Sequence, residues 1–405
     1  MIDNQQTVSR TFFEWFATAI SATVENVFRT VVCWLSLIAL ALALALASLA
    51  TEVEVAPIRG GQFVGAAGCK SSSCHGGAGP KREQYTIWSR QDFHVKASAI
   101  LTDARSARIA ETVGGGDAPN NARCTVCHSP FQAVEKTQLA PTAHPDEGVS
   151  CESCHSAAGS WLRGHTRPDW TYAMRVSAGM RDLRSLYVRG NTCVACHQNI
   201  DNSILKAGHP AMMFELDSQS VNQPRHWRED DPWIGPRAWL IGQAVALREA
   251  AWHSRVDVDP APDAQETSLA LAWLLSKVTG TDPGLPKIFE PTSSDLEPLQ
   301  KEADDLAQRA AMWKPTADAM MTMLRTLAAM DLEFKGSGKS VETLVYRARR
   351  VVLALDRLSV ALNANSAVPL NIDNELKTLR DDLRTPDVFN PEQFAQHLRT
   401  FRSKL

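Results

Sequence analysis

Four short motifs constrain this chain more than any other feature. Cys-x-x-Cys-His occurs three times, at Cys124–His128, Cys151–His155 and Cys193–His197, and a fourth copy, longer by two residues, runs from Cys69 through Cys74 to His75. The sequence has nine cysteines, and these motifs use all but Cys33. A three-residue step puts both sulfurs on one side of a helical turn. Two thiols so placed attach to the vinyl groups of one porphyrin, and the His that follows turns its imidazole onto the iron. The motifs therefore predict four covalent haem c groups. Their attachment residues would be Cys69, Cys74, Cys124, Cys127, Cys151, Cys154, Cys193 and Cys196, and their proximal ligands His75, His128, His155 and His197. In the stretched motif, Lys70-Ser71-Ser72-Ser73 is small and polar enough to bulge as a loop. Zinc ribbons also use paired cysteines, but they do not require a His after every second one. Structural disulfides suit an exported chain, yet pairs this close, each with a trailing His, make a poor disulfide framework.

Four irons then need sixth ligands. A second His gives a low-potential carrier, and a Met thioether raises the potential. Seven other histidines are available among the eleven. His94, His144, His165 and His209 lie in or beside the motif region and are the expected distal ligands, although spacing does not pair them with particular irons. His226 stays open between ligand and ordinary histidine, while His253 and His397 read as helix-face residues. Met212 and Met213, in Ala211-Met212-Met213-Phe214, read as apolar packing.

The remaining sequence sets the frame. At 405 residues the chain has room for two or three domains, and its net charge of −3 argues against nucleic acid as a partner. Val31 to Ala50 is an uncharged apolar run long enough to span a bilayer. Arg10 and Arg29 precede it and Glu52 and Glu54 follow it, which predicts a cytoplasmic N-terminus and a motif region on the periplasmic side. Ser48-Leu49-Ala50 offers a cleavage site, but the long leader favours an uncleaved membrane anchor. Residues 1–54 are thus read as signal or anchor, 55–230 as a tetrahaem domain of short helices and loops, and 231–405 as a helical bundle. The fold class is mainly α.

Within the haem region one helix is expected from about Lys81 to Ile109, and Val113–Asp117 is read as a turn. Beyond residue 230 the pattern becomes helical. Leu344, Ala348, Val351, Leu355, Leu358 and Leu362 alternate in steps of four and three, as do Leu299, Ala303, Leu306, Ala310 and Trp313 until Pro315 interrupts. Gly235-Pro236 opens a helix through Trp252, Leu269–Val278 forms a shorter one, and Asn390-Pro391-Glu392-Gln393 is a capped helix start.

Three stretches resemble the tetrahaem cytochrome c-554 family, periplasmic carriers that accept electrons from hydroxylamine oxidoreductase during ammonia oxidation. They are Cys74-His75 with Ile87-Trp88-Ser89 and Phe93–Ala97, then Gly148–His155 with Arg163-Gly164-His165, and the last motif, Cys193–His197. The resemblance covers roughly residues 60–210. It implies that His165 ligates the first haem and that His94 also ligates an iron. The chain departs from the family in its stretched first motif. It also carries His144, a ligand that could fill the haem left five-coordinate in the family. Ala207–Pro210 and the bundle lie outside the resemblance.

An electron-transfer protein serving redox partner proteins is accordingly the leading expectation. The alternative is a reductase or oxidase of a small nitrogen or sulfur compound, which requires one iron with an open face. A third reading, compatible with the first, makes the bundle a docking module.

Overall fold

The computed structural model describes residues 61–256, 264–291 and 296–405. The predicted membrane segment Val31–Ala50 and the leader before it lie outside these residues. Among the described residues no helix is long and apolar enough to cross a membrane. Residues 61–405 form one compact unit, mainly helical, with an isolated bridge between Phe63 and Leu139.

The cysteine region is built from short helices joined by turns: α1 (Gln84–Gln91), α2 (Ala104–Val113), α3 (Ala122–His128), α4 (Cys151–His155), α5 (Leu186–His197) and α6 (Leu216–Asn222). The single helix expected over 81–109 is broken. Asp92 takes an extended conformation (φ −83°, ψ 126°) and ends α1, and its carboxylate accepts the backbone N–H of His94 to start a separate 3₁₀ turn over Phe93–Lys96. An Asp that bonds the backbone two residues on offers the chain a turn in place of a continued helix. The glycines at 114–116 all have positive φ and form the expected turn.

The second half forms the bundle: α7 (Ile234–Val256), α8 (Ala264–Thr279), α9 (Glu297–Ala310), α10 (Ala317–Ala328), α11 (Val341–Ala364), α12 (Asp373–Asp381) and α13 (Pro391–Arg402). The two apolar seams are core. Leu344, Ala348, Val351, Leu355, Leu358 and Leu362 are all buried, as are Leu299, Ala303, Leu306, Ala310 and Trp313. Each fully buried Leu or Val contributes about 1.5–3 kcal/mol over exposure. α9 stops before Pro315, and the side chain of Asn390 caps α13 by accepting from the backbone of Glu392 and Gln393.

α7 joins the two halves. It packs against α8, α9 and α11 on the bundle side and against α5 and α6 on the cysteine side. It is buried nearly all round, from Ala238 to Leu247 without a break, as a helix enclosed by others must be. Gly242 is what lets α6 come close. A Cβ there would lie 2.8 Å from the backbone nitrogen of Leu216. One hydrophobic cluster accordingly runs from Leu186, Val194, Phe214 and Leu216 into the bundle core.

Charges are buried where α6 meets α11. Arg357 Nε lies 3.0 Å from Asp217 Oδ2 and Arg357 also faces Glu215, while Gln243 donates to Glu215 and accepts from Arg350. Burial and the neighbouring Glu215 push the Asp217 carboxyl up to about 7, against the pull of Arg357. The folded protein thus holds a proton that the unfolded chain has released, so stability falls as pH rises from about 4 to about 7 and levels off above that. Asp217→Asn should remove this slope. At pH 8 the variant should be more stable than the parent by up to about 4 kcal/mol, a gain that shrinks towards pH 4. Thermal denaturation across that range measures it.

Candidate functional site

Three of the four motifs sit where the local sequence makes helix. Cys124–His128 and Cys193–His197 close α3 and α5, and Cys151–His155 is the whole of α4. The stretched motif takes up its two extra residues as a turn. Cys74 N–H donates to Ser71 O at 2.9 Å, and His75 N–H reaches back to Cys69 O at 3.1 Å. The loop anticipated from Lys70–Ser73 is present.

The glutamate inside the third motif fixes the chain around it. Glu152 is buried, and its carboxylate accepts the N–H groups of Val64 (3.0 Å), Gly65 (2.7 Å) and Ala158 (2.6 Å). Burial pushes its carboxyl up, and these hydrogen bonds oppose the shift. The clamp draws the segment ahead of Cys69 onto α4. The thiols of Cys69 and Cys151 act on each other, the pKa of Cys69 lowered and that of Cys151 raised, and so do those of Cys127 and Cys196, Cys127 lowered and Cys196 raised. The first motif therefore lies beside the third, and the second beside the fourth.

Each motif histidine faces one histidine from elsewhere. His75 pairs with His165 at 6.1 Å between ring centres, His94 with His197 at 5.9 Å, His128 with His209 at 6.3 Å and His155 with His226 at 6.5 Å. An imidazole nitrogen lies about 2 Å from a bound transition metal, so two rings on opposite sides of one metal have centres roughly 6 Å apart. Ordinary aromatic pairs also fall at about 4.5–7 Å, so distance alone decides nothing. What sets these pairs apart is the one-to-one match: every motif histidine has its own partner. Burial lowers the basicity of His128, His165, His197 and His226, and it brings His155 to about 4 with help from His226 and His75. Neutral imidazole is the form that binds a metal.

Three of the four expected distal histidines stand in these pairs. His144 does not. It is exposed in a turn, and the place opposite His155 is taken by His226, which the sequence left open. Nothing in the spacing of Pro224-Arg225-His226-Trp227 announces this, because the partner motif is distant in the chain. Met212 and Met213 are exposed, and His397 pairs with Asp382 in the bundle.

The residues fit haem. All eight motif cysteines and the four histidine pairs line one continuous cavity of about 2590 Å³. A site for one small molecule takes roughly 300–1,000 Å³, and a quarter of this cavity falls within that range. Porphyrin propionates need cations and donors, and Arg163, Arg175, Arg181 and Arg184 line the cavity with Trp161 and Trp227. Arg175 Nε and the indole N–H of both tryptophans are buried without a hydrogen-bond partner, which buried donors rarely tolerate. The eight cysteines are free. Among the described residues no three His, Cys, Asp or Glu side chains gather as a metal-binding group, so a tetrahedral zinc site has no ligand set, whereas a porphyrin iron asks the protein for two axial ligands.

No curated protein and no solved structure matches the chain. The fourth motif and the bundle lie outside the segment that matches a family model. Residues 69–156, which carry the first three motifs, match the family model described as cytochrome c554 and c-prime, and the match supports a c-type cytochrome role in electron transfer, with haem c as the cofactor.

Proposed function

We propose that the protein is a tetrahaem electron carrier, with Cys69 and Cys74, Cys124 and Cys127, Cys151 and Cys154, and Cys193 and Cys196 as the attachment pairs. The histidines that would hold the irons are His75 with His165, His128 with His209, His155 with His226, and His197 with His94. The observation that carries this reading is the pairing of every motif histidine with one other histidine across a shared cavity. Haem supplies a one-electron iron couple, and the protein tunes that couple through its ligands, burial and hydrogen bonds. The chain's own part is to bind, orient and connect the four centres. His128 is oriented by Ala97 O at 3.1 Å from its Nδ1, His209 by Pro210 O at 2.9 Å, and His75 by Gln84 Oε1 at 2.9 Å. Neighbouring motifs share one cavity, which supports passage of electrons from centre to centre.

The enzymatic alternative requires an iron with an open face, and a histidine stands opposite each of the four proximal ones. We place the protein on the periplasmic side of the membrane, from the charges flanking Val31–Ala50. Its partners are assigned as other redox proteins, with nitrogen-compound respiration as the setting the resemblance implies.

The test is a pyridine haemochrome assay with electron paramagnetic resonance of the oxidised protein. Four haems per chain, all low-spin, are expected. Two haems or fewer would refute the count, and a high-spin centre would restore the enzymatic reading.

A further inference from the structure

We propose that Asp92 is a potential-setting residue: its carboxylate, held against His94, makes the centre of the fourth motif the one with the lowest reduction potential of the four. This rests on the tetrahaem reading above.

Asp92 is 4% exposed, and a carboxylate buried to that degree needs strong partners. Its Oδ1 accepts the backbone N–H of His94 at 3.0 Å and lies 2.9 Å from the ring nitrogen Nδ1 of the same residue. Its Oδ2 accepts from Gln223 Nε2 at 3.1 Å. One oxygen thus grips His94, and the other holds the segment that leads into His226. Gly148 keeps this corner tight. It has φ +76°, and a Cβ there would lie 2.7 Å from His94 O. Val149 N–H donates to that same His94 oxygen at 3.0 Å.

The partners of the other ring nitrogens are of a different kind. His75, His128, His165 and His209 each meet a neutral carbonyl oxygen, from Gln84, Ala97, Leu162 and Pro210. Among the described residues, His94 alone of the eight facing histidines has a carboxylate within ion-pair distance. A carboxylate behind a metal-bound imidazole fixes its tautomer and raises its basicity.

The sign follows from charge. Reduction brings one electron from a redox partner into the centre and lowers its net charge by one. A fixed negative group beside the axial imidazole favours the more positive, oxidised form, and it does so strongly where water is excluded. The neutral carbonyls behind His75, His128, His165 and His209 exert a weaker pull in the same direction, and Asp92 acts on His226 through its charge, without the ion-pair contact it makes with His94. The fourth centre therefore holds its electron least tightly.

Asp92→Asn tests this in the holoprotein, by potentiometric titration followed in the visible bands. The expected result is four low-spin haems with the lowest of four one-electron steps shifted positive. At that step's original midpoint the ratio of reduced to oxidised centre should rise at least tenfold, about 59 mV for one electron. Asp92→Glu, which keeps the charge, should restore most of the original potential. If D92N leaves four low-spin haems and four unmoved steps, the proposal is overturned. It is also overturned if D92N and D92E both lose one low-spin centre, since Asp92 would then be scaffold alone. Should D92N yield no holoprotein, Gln223→Leu removes the neutral donor from Oδ2 and leaves more charge on the His94 side. The lowest step must then move negative, and an unmoved step overturns the proposal. A parent protein with fewer than four haems would instead sink the tetrahaem reading itself, a result separable from all of these.

Discussion

His226→Ala should convert one of the four low-spin haems to a high-spin centre, while His144→Ala leaves all four unchanged. His226 faces His155 at 6.5 Å between ring centres. Its ring is largely buried, and burial lowers its basicity. Removing it takes away the only imidazole opposite that proximal ligand among the described residues and leaves the sixth position open to water or nothing. His144 is solvent-exposed in a turn and is opposite none of the motif histidines. Its loss should cost no more than a few tenths of a kcal/mol, as for an ordinary surface substitution. Electron paramagnetic resonance of the two oxidised variants separates the cases. A high-spin signal from H144A with none from H226A would exchange their roles.

The second large effect concerns Glu152. Glu152→Gln preserves shape but replaces one acceptor oxygen by an NH₂ group facing backbone donors. The carboxylate serves Val64, Gly65 and Ala158 N–H with two oxygens. With an amide in place, at least one buried N–H must point at another donor. Leaving a buried donor unsatisfied costs about 1–3 kcal/mol, and a hydrogen bond to a charged group is worth about 1.5–3 kcal/mol. We expect a loss of about 3 kcal/mol in global stability, seen as a fall of several degrees in the melting temperature. The loosened segment is the one leading into Cys69, so the first haem should be under-attached while the other three are retained. A pyridine haemochrome count of three in E152Q, against four in the parent, is the expected reading. A full count with unchanged melting would remove Glu152 from the architecture of the first site.

Some of this molecule is written locally. The eight motif cysteines and four motif histidines stand out because the proposed attachment needs two sulfurs and one imidazole within a single turn of chain, and short spacing records that requirement directly. The bundle was legible for a related reason. The Leu344–Leu362 seam and the Asn390 cap express the period of an α-helix and the unpaired donors at its start, both properties of a few consecutive residues. The break at Asp92 was not legible, because Trp88, Val95 and Ile109 continue an apolar rhythm through it. The competition between a helix and a carboxylate that turns back onto His94 depends on burial supplied by Gly148, Val149 and Gln223.

What the sequence marked by itself was the four cysteine pairs, each with a histidine beside it, and the helices of the chain, since each of those statements concerns neighbours in the chain. Tertiary structure alone decided which imidazole completes each pair, that His226 and not His144 stands opposite His155, and that one histidine of the eight is backed by a carboxylate. Those are distances between segments far apart in the chain. They are set by how α7 is enclosed between the two halves and how Glu152 and Gly148 draw loops together, and residue order carries no period or spacing that records them.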